Sequence, residues 1–455
     1  MRICQVVLKG VKQFNDFELD LTYPNGHQKA GQPLEKICLI GNNGTGKSTL
    51  LEYIHTILFN INSRKSIELL IIKYLFEDKF YYVVHTSRQS NVFHYDGNID
   101  IEFPDWKKNV KEGRIEMLYS TFSEYYITST QFFNLISLKN NSKDLLVFCP
   151  SEGSQNLYRG INDVPQAQVS SALQLFENFS YNHVVNSDTV NEFWKVLLYL
   201  IKKRENDLRI FENQERNLDR TVRNIREEFN QINPRILEEI ATLWNRILYK
   251  ANLEFDFENA NNPAQLTDNL KAYIVHKNKR SVIHYSQLST GIRNFIFKVG
   301  HIYSLYFNRD VERGFLLIDE PENSLFPDFL YDIVDVYYSI TKNTQLFMAT
   351  HSPIIAAQFE PYERIILNFD DEGNVHSTKG TSPIGDDPND LLIKDFGIRS
   401  LMGKEGIEKW ERYIELKVLI KNETNEEKKK TLIYEFMEIG NKYNFSGDEV
   451  FKKIC

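Results

Sequence analysis

The sequence contains few cysteines and no pair of them with a recognisable spacing. Only four occur in 455 residues, and they stand far apart, at Cys4, Cys38, Cys149 and Cys455. Zinc sites and disulfide frameworks both need cysteines that recur at short, regular spacings. The sequence therefore indicates neither, and we expect reduced thiols of the kind found in the cytoplasm.

Long apolar runs and an excess of basic residues are also missing. No stretch approaches the roughly 20 apolar residues that a membrane span needs. The strand-like start, Met1–Lys9, lacks the apolar run and cleavage site of a signal peptide. The formal net charge of −8 argues against a uniformly basic nucleic-acid-binding surface, while leaving room for a local one. We expect a soluble cytoplasmic protein of two or three domains with no membrane partner.

A glycine-rich loop stands between a strand-like segment, Ile37–Ile40, and a helix-like segment, Leu50–Ile54. Glycines let successive backbone N–H groups point into one cavity, and the helix adds its free amides, so the pattern predicts a polyphosphate site. We expect Lys47 to neutralise the β- and γ-phosphates of ATP and Ser48 to place its hydroxyl on Mg²⁺. The alternative, a chance glycine turn, is disfavoured by the complete eight-position pattern and its strand-to-helix setting. The residues predicted to bind the cofactor here are Gly41, Asn42, Asn43, Gly44, Thr45, Gly46, Lys47, Ser48 and Thr49.

An apolar strand that ends in carboxylates follows much later, at Gly314–Glu322. We expect Asp319 to reach the Mg²⁺ held by Ser48, and Glu320 to orient and deprotonate the attacking water. The alternative is a buried strand that ends in a solvated acidic loop. The glycine-rich loop upstream disfavours this alternative, because carboxylates of this kind complete a phosphate and metal site.

Two weaker motifs accompany these. Gln287–Gly291 precedes a helix-like segment, and the Ser289 hydroxyl, the Gly291 amide and the helix start make a second phosphate-seeking surface. Taken alone, this stretch is equally an ordinary capped helix start. Gln345–Pro353 is a strand that delivers His351 to its C-terminal end, where α/β sheets place ligand groups, although a lone histidine is usually structural.

Changes of pattern along the chain indicate four regions. Residues 1–160 alternate like strands around the glycine-rich loop and include an aromatic, β-branched antiparallel meander. Residues 161–280 carry apolar residues at three- or four-residue intervals, which predicts a projecting hairpin of helices with a break at Pro234. Residues 281–370 return to the α/β pattern, and residues 371–455 form a tail with a charged helical pair.

Taken in order, the four motifs resemble those of the ABC-type ATPase head shared by SMC, Rad50, RecF and OLD-like proteins. The resemblance implies an α/β fold of the P-loop NTPase class, with a mixed sheet, an antiparallel subsheet, a helical hairpin insertion and a helical tail. It also implies an Mg²⁺-dependent ATPase in which Glu320 and His351 are catalytic, the second as a switch histidine. In that family the Leu-Ser-x-Gly element binds the γ-phosphate on the partner subunit. The resemblance therefore implies a homodimer or larger homo-oligomer, with Ser289 and Gly291 serving the partner's ATP.

The same resemblance implies two further loops. A dimer-contacting loop is expected at Asn323–Leu325, and a Q-loop near Leu118–Ser123, with Gln131 as an alternative. Thr290 stands where the signature often has a glycine.

The spacing of the motifs narrows the subfamily. The stretch between Lys47 and Ser289 is longer than a transporter ATPase needs, and the helical insertion is too short for SMC arms. The compact head and the tail without nuclease motifs look most like ATPase subunits of two-gene phage-defence systems such as Septu and PARIS, which work with a separately encoded nuclease. The alternatives are a RecF-like repair ATPase that binds duplex DNA and, less favoured, a transporter ATPase. Basic clusters at 107–114 and 202–209 are either DNA contacts or solvated surface.

Overall fold

The computed structural model describes most of the chain, in stretches separated by gaps. These are residues 1–59, 68–86, 90–95, 103–114, 126–127, 143–151, 181–186, 189, 204, 207–217, 219–256, 274–283, 287–307, 309–398 and 400–445. The chain divides into two compact units, Met1–Asp386 and Asp387–Cys455. The division lies beyond the boundary at residue 370 that we expected from the sequence. The reason is that the hairpin after residue 363 extends the large sheet of the first unit.

The large sheet of the first unit has seven strands in the order β16-β15-β3-β14-β13-β8-β9. All of its pairings are parallel except that between β15 and β16. Every residue of β8 and β14 is buried, as expected for strands covered on both faces, and this explains the apolar runs Leu145–Cys149 and Leu346–Ala349 within them. The strands are β3 (Lys36–Gly41), β8 (Asp144–Cys149), β9 (Asn182–Val184), β13 (Arg313–Asp319), β14 (Thr344–Ala349), β15 (Arg364–Phe369) and β16 (Val375–Lys379).

A second sheet of six strands, in the order β2-β1-β4-β5-β6-β7, is antiparallel throughout. Glu77 and Asp78, both with positive φ, form the two-residue turn between β4 and β5, the geometry that suits the twist of a hairpin. The mixed sheet and antiparallel subsheet predicted from the sequence are thus confirmed. The strands are β1 (Arg2–Lys9), β2 (Phe17–Asp20), β4 (Leu69–Phe76), β5 (Lys79–Thr86), β6 (Ser90–Tyr95) and β7 (Tyr126–Ile127).

One buried glutamine, Gln345, joins the two sheets through its side chain. The Gln345 side chain, fully buried on β14, accepts from the Ile3 N–H at 2.8 Å and donates to the carbonyls of Ile3 and Leu34, both at 2.9 Å. Because all three bonds are made by one side chain, β1 and the segment before β3 are held in a fixed position. The apolar core between the sheets packs around this contact.

Helices and a small third sheet complete the first unit. The sheet comprises β10 (Leu253–Phe255), β11 (Ile274–His276) and β12 (Val282–Ile283). Pro234 lies in the break between two helices, as expected, while the earlier part of the predicted hairpin falls mostly outside the described residues. The described helices of this unit, numbered in chain order, are α1 (Lys47–Phe59), α2 (Trp106–Lys111), α3 (Val222–Ile232), α4 (Ile236–Leu248), α5 (Thr290–Tyr306), α6 (Ile333–Ile340) and α7 (Pro353–Ala356).

The second unit is helical, with α8 (Pro388–Lys394), α9 (Lys404–Asn422) and α10 (Glu426–Tyr443). Between the two long helices the rings of Tyr413 and Phe436 stack at 4.2 Å, and Arg412 donates to both carboxylate oxygens of Glu435 at 2.8 and 3.0 Å. These contacts make α9 and α10 a packed pair. In the described part of the whole chain, every helix is too short or too polar to cross a membrane.

Candidate nucleotide site

The glycine-rich loop connects β3 to α1 at the carboxyl edge of the parallel strands. Gly41, Gly44 and Gly46 all have positive φ, a region that residues with a side chain rarely adopt. A Cβ on Gly41 would stand 2.3 Å from the Leu367 carbonyl, and one on Gly46 would stand 2.2 Å from the Gln13 side chain. Packing on both sides therefore requires glycine at these positions.

The polar residues of the loop fall into an inner and an outer group. Thr45 is fully buried, and its hydroxyl donates to the Asn42 carbonyl at 2.8 Å. The Asn42 and Asn43 side chains are exposed, and Thr49 lies half-buried in the first turn of α1. The loop is thus braced from within while its outer rim faces solvent.

Lys47 is folded back into the loop. Only 6% of the residue is exposed, and its ammonium group donates to the carbonyls of Gly41 at 2.8 Å and Asn42 at 3.2 Å. Burial lowers the pKa of Lys47, and the neighbouring carboxylates of Asp319 and Glu320 oppose that shift. The Lys47 ammonium group can therefore pair with an anion that binds in the loop.

Ser48 and Asp319 meet across the site. The Ser48 hydroxyl lies close enough to the Asp319 carboxylate, which ends β13, to lower the pKa of that carboxylate. Burial raises the pKa of Asp319, while Ser48 and the Ser151 N–H lower it. The residues fit the Mg²⁺ that the sequence implies, because this ion prefers oxygen ligands and needs only one or two from the protein beside phosphate and water.

Glu320 occupies a strained position at the start of the acidic turn. Its φ is +49°, and its N–H donates to the Ala349 carbonyl of β14 at 2.9 Å. A non-glycine residue in the left-handed region costs energy, and such residues concentrate at functional sites. Its carboxylate accepts a hydrogen bond of 2.5 Å from the Ser151 hydroxyl.

Ser151 is a site residue that the sequence reasoning did not identify. It follows β8 after Pro150, and β8 pairs with β13 so that Cys149 lies opposite Ile318. This register places the Ser151 hydroxyl on Glu320 and its N–H on Asp319. The signal in the sequence is an apolar run ending in Pro-Ser. The residues expected to form the Q-loop, Leu118–Ser123 and Gln131, lie outside the described residues.

His351 lies on the turn after β14, near Lys47 and Glu320. The Thr350 N–H donates to the Leu39 carbonyl of β3 at 3.0 Å, which holds this turn against the strand that carries the glycine-rich loop. Burial and the Lys47 charge lower the pKa of His351, and Glu320 opposes the shift. The imidazole is therefore mostly neutral near pH 7 and can accept a proton or a hydrogen bond.

Glu322 connects the two turns. Its carboxylate accepts from the His351 N–H at 2.6 Å, and its pKa is raised by burial. No feature of the sequence distinguished it from the other acidic residues of the turn, because its partner lies on another strand.

Ser289, in the Leu288–Gly291 stretch, makes no hydrogen bond to these site residues among the residues that the structure describes. The Ser289 hydroxyl caps α5 by accepting from the Ile292 N–H at 3.4 Å. Among the described residues, the hydrogen bonds of Ser289 all stay within that helix start. A Cβ on Gly291 would stand 1.9 Å from the Ser324 carbonyl, and Ser324 itself has a φ of +62°. The expected signature thus packs against the loop that follows Glu320, within one chain.

Comparison with solved structures finds SMC head domains, at low identity. The Smc head bound to the C-winged helix domain of ScpA is 12% identical, with coverage of 83% of this chain and 98% of that one and a TM-score of 0.42. The SMC head domain from Thermotoga maritima is 11% identical, with coverage of 84% and 100% and a TM-score of 0.42. No curated protein matches the sequence. The model of the AAA ATPase domain family matches residues 1–356, which is most of the chain, and this protein therefore belongs to that family.

Proposed function

We propose that the protein hydrolyses ATP in an Mg²⁺-dependent reaction at the site around Lys47 and Asp319. The observation that carries the proposal is the packing of α1, which begins with the buried Lys47, against β13, which ends in Asp319. Lys47 binds the β- and γ-phosphates, while Ser48 and Asp319 hold the metal. When bound, Mg²⁺ neutralises charge that develops on the phosphate oxygens.

In this proposal Glu320 takes the proton of the attacking water. Its carboxylate is oriented by Ser151 and its backbone is fixed to β14, so it is a preorganised base. His351 lies near enough to Lys47 and Glu320 to influence both electrostatically, and its neutral ring suits contact with the γ-phosphate or the water.

Phosphate release by the purified chain, measured against Mg²⁺ concentration, tests this assignment. We expect no turnover in excess EDTA, and Asp319→Asn should lower the maximal rate and raise the Mg²⁺ concentration that gives half of it. The same change at Asp335, an exposed residue of α6, is the control. Equal Mg²⁺ dependence in Asp319→Asn and wild type would contradict the metal assignment.

We further propose that two heads form a homodimer, in which Ser289 and Gly291 of each serve the other's ATP. Support comes from Ser289, whose hydrogen bonds among the described residues stay within the start of α5 and do not reach the glycine-rich loop. The contact of Gly291 with Ser324 gives the helix start a link to the loop after Glu320. ATP-dependent dimerisation of Glu320→Gln, measured by light scattering, tests this point.

For the biological role, we propose that the nucleotide state controls a separately encoded nuclease in phage defence within the cytoplasm. The proposal follows from the compact head, the short insertion and the absence of recognisable nuclease motifs in the sequence. Co-purification with the product of the adjacent gene, with and without ATP, tests it. Failure of every neighbouring gene product to bind would count against this role.

Duplex DNA is the second candidate partner, and the described basic cluster gives it little support. On α2 and after it, Lys107 pairs with Glu18 at 3.6 Å, Lys111 with Asp16 at 2.6 Å, and Arg114 with Glu112. Charges that are already paired release fewer counterions on binding phosphate. Salt-dependent retention on DNA would nevertheless favour the repair alternative.

A further inference from the structure

We propose that Glu322 is a positioning residue for ATP hydrolysis, whose side chain ties the turn that carries His351 to the turn that carries Glu320. The inference deepens the proposed function and rests on it. Among the described residues, no hydrogen bond joins Glu322 to Lys47, to which we assign phosphate contact, or to Ser48 and Asp319, to which we assign metal contact. Its effect would pass through the backbone of His351.

The first argument comes from the contacts of the Glu322 carboxylate. Oε1 accepts from the His351 N–H at 2.6 Å, and the Thr350 hydroxyl lies close enough to the carboxylate to lower its pKa. Oε2 is buried and has no hydrogen-bond partner among the described residues. One side chain thus reaches from the end of β13 to two successive residues after β14.

The second argument is that few other bonds span these two turns. The ladder between β13 and β14 ends at the pair Asp319 and Ala349. One step further, the Glu320 N–H still donates to the Ala349 carbonyl. Beyond that bond, the Glu322 carboxylate is what joins the acidic turn to His351 in the described structure. Its removal would leave both strands intact and release the backbone at His351.

The third argument concerns the chemistry of the contact. An N–H of the His351 backbone needs an acceptor, and either a glutamate or a glutamine oxygen at this position supplies one. Alanine supplies none, so the His351 N–H loses the protein acceptor that fixes the position of this turn. Glu322→Gln and Glu322→Ala should therefore differ, whereas at Glu320 the loss of a proton acceptor makes glutamine itself damaging.

The experiment compares kcat and ATP affinity in wild type, Glu322→Ala and Glu322→Gln. We expect Glu322→Ala to lower kcat about tenfold or more, with ATP affinity within about twofold of wild type. Glu322→Gln should recover most of the loss. Glu411→Ala, which removes an exposed glutamate of α9, is the matched control for the change of charge.

A double-mutant cycle with His351 separates positioning from a general loss of structure. If Glu322 acts through His351, Glu322→Ala should change kcat little in a His351→Ala background. A full additional loss in that background would overturn the proposal, as would a wild-type kcat in Glu322→Ala. Equal losses in the alanine and glutamine variants would also overturn it, because they would indicate a need for charge.

Hydrogen exchange measured by mass spectrometry gives a readout that does not need turnover. Peptides that contain His351 should exchange faster in Glu322→Ala and regain protection in Glu322→Gln, while peptides from β8 stay unchanged. Unchanged hydrogen exchange at His351 in Glu322→Ala would show that the Glu322 carboxylate does not hold the backbone of His351. A wild-type protein without ATPase activity that still shows this pattern would refute the proposed function and leave the structural link standing.

Discussion

The glycine-rich loop and the Leu288–Gly291 stretch both offer backbone amides at a helix start, but the structure treats them differently. Around the loop, residues from α1 and from the ends of β8 and β13 converge: Lys47 is buried in the loop, and the Ser151 hydroxyl donates to Glu320. At the α5 start, the Ser289 hydroxyl caps its own helix, and Gly291 packs against the backbone of Ser324 and Leu325. In our proposal the first region supplies the phosphate and metal ligands within one chain, whereas Ser289 in the second bonds only within its own helix start among the described residues.

This difference teaches what each region can do alone. A single chain has the groups needed to bind a nucleotide and orient a base. If the α5 start acts on a phosphate at all, that phosphate must be brought to it, and our proposal is that a second copy of the chain brings it. Substitutions around the glycine-rich loop should then affect nucleotide binding and hydrolysis, whereas substitutions in Leu288–Gly291 should affect dimer formation.

The largest effect is expected from Lys47→Ala. Removal of the buried ammonium group leaves the loop carbonyls of Gly41 and Asn42 without their donor and the phosphates without their counter-charge. Nucleotide binding, measured by calorimetry, should be lost. Lys12→Ala, which alters a residue of the neighbouring loop, serves as the control. Wild-type affinity in Lys47→Ala would remove the phosphate-loop assignment.

Glu320→Gln should affect chemistry much more than binding. Glutamine keeps the shape and can still accept from Ser151, but it cannot take a proton from water, so the rate should fall by about 10²–10⁴. The variant should retain ATP, as measured by filter binding. Hydrolysis at the wild-type rate would show that another residue is the base.

The two regions also differ in how far the sequence predicted them. The glycine-rich loop and the acidic strand are local patterns, so their residues could be assigned without knowledge of the fold. Ser151 and Glu322 act through contacts that span 169 and 29 residues, and these depend on the register of β8, β13 and β14. Such registers are set by tertiary packing, which a single sequence does not reveal. The antiparallel subsheet was predictable because β-branched and aromatic residues recur between short turns.

Ser289→Arg tests the second region directly. Bulk and charge at the start of α5 should block ATP-driven assembly and lower hydrolysis at least about tenfold, while ATP binding to a single head stays nearly intact. Mixing this variant with Lys47→Ala gives dimers in which one shared site carries both changes and the other carries neither. Partial recovery of hydrolysis on mixing is therefore expected.

The controls for this experiment are mixed-dimer formation and Ser304→Arg, which changes a serine at the other end of the same helix. Because Ser304 is buried, that control reports on damage to α5 itself. No recovery despite mixed dimers would count against sites shared between subunits. Normal hydrolysis by Ser289→Arg alone would show that Leu288–Gly291 is only a helix start.

The smallest effect on kcat is expected from Ser151→Ala. This change separates the base from the metal ligand within the site around the glycine-rich loop. Ser151→Ala removes the hydroxyl that holds the Glu320 carboxylate but leaves the backbone N–H that donates to Asp319. The base should then sample more orientations while the metal ligand stays in place, so kcat should fall about three- to tenfold, the size of one ordinary hydrogen bond in a protein. The Mg²⁺ dependence of the rate should not change, in contrast to that of Asp319→Asn.

In a Glu320→Gln background, Ser151→Ala should have almost no further effect, because the base that Ser151 positions is already gone. Steady-state kinetics of the two single variants and the double variant measure all of this. An equal loss in both backgrounds would mean that Ser151 acts on something other than Glu320, and a shift in Mg²⁺ dependence would point to Asp319.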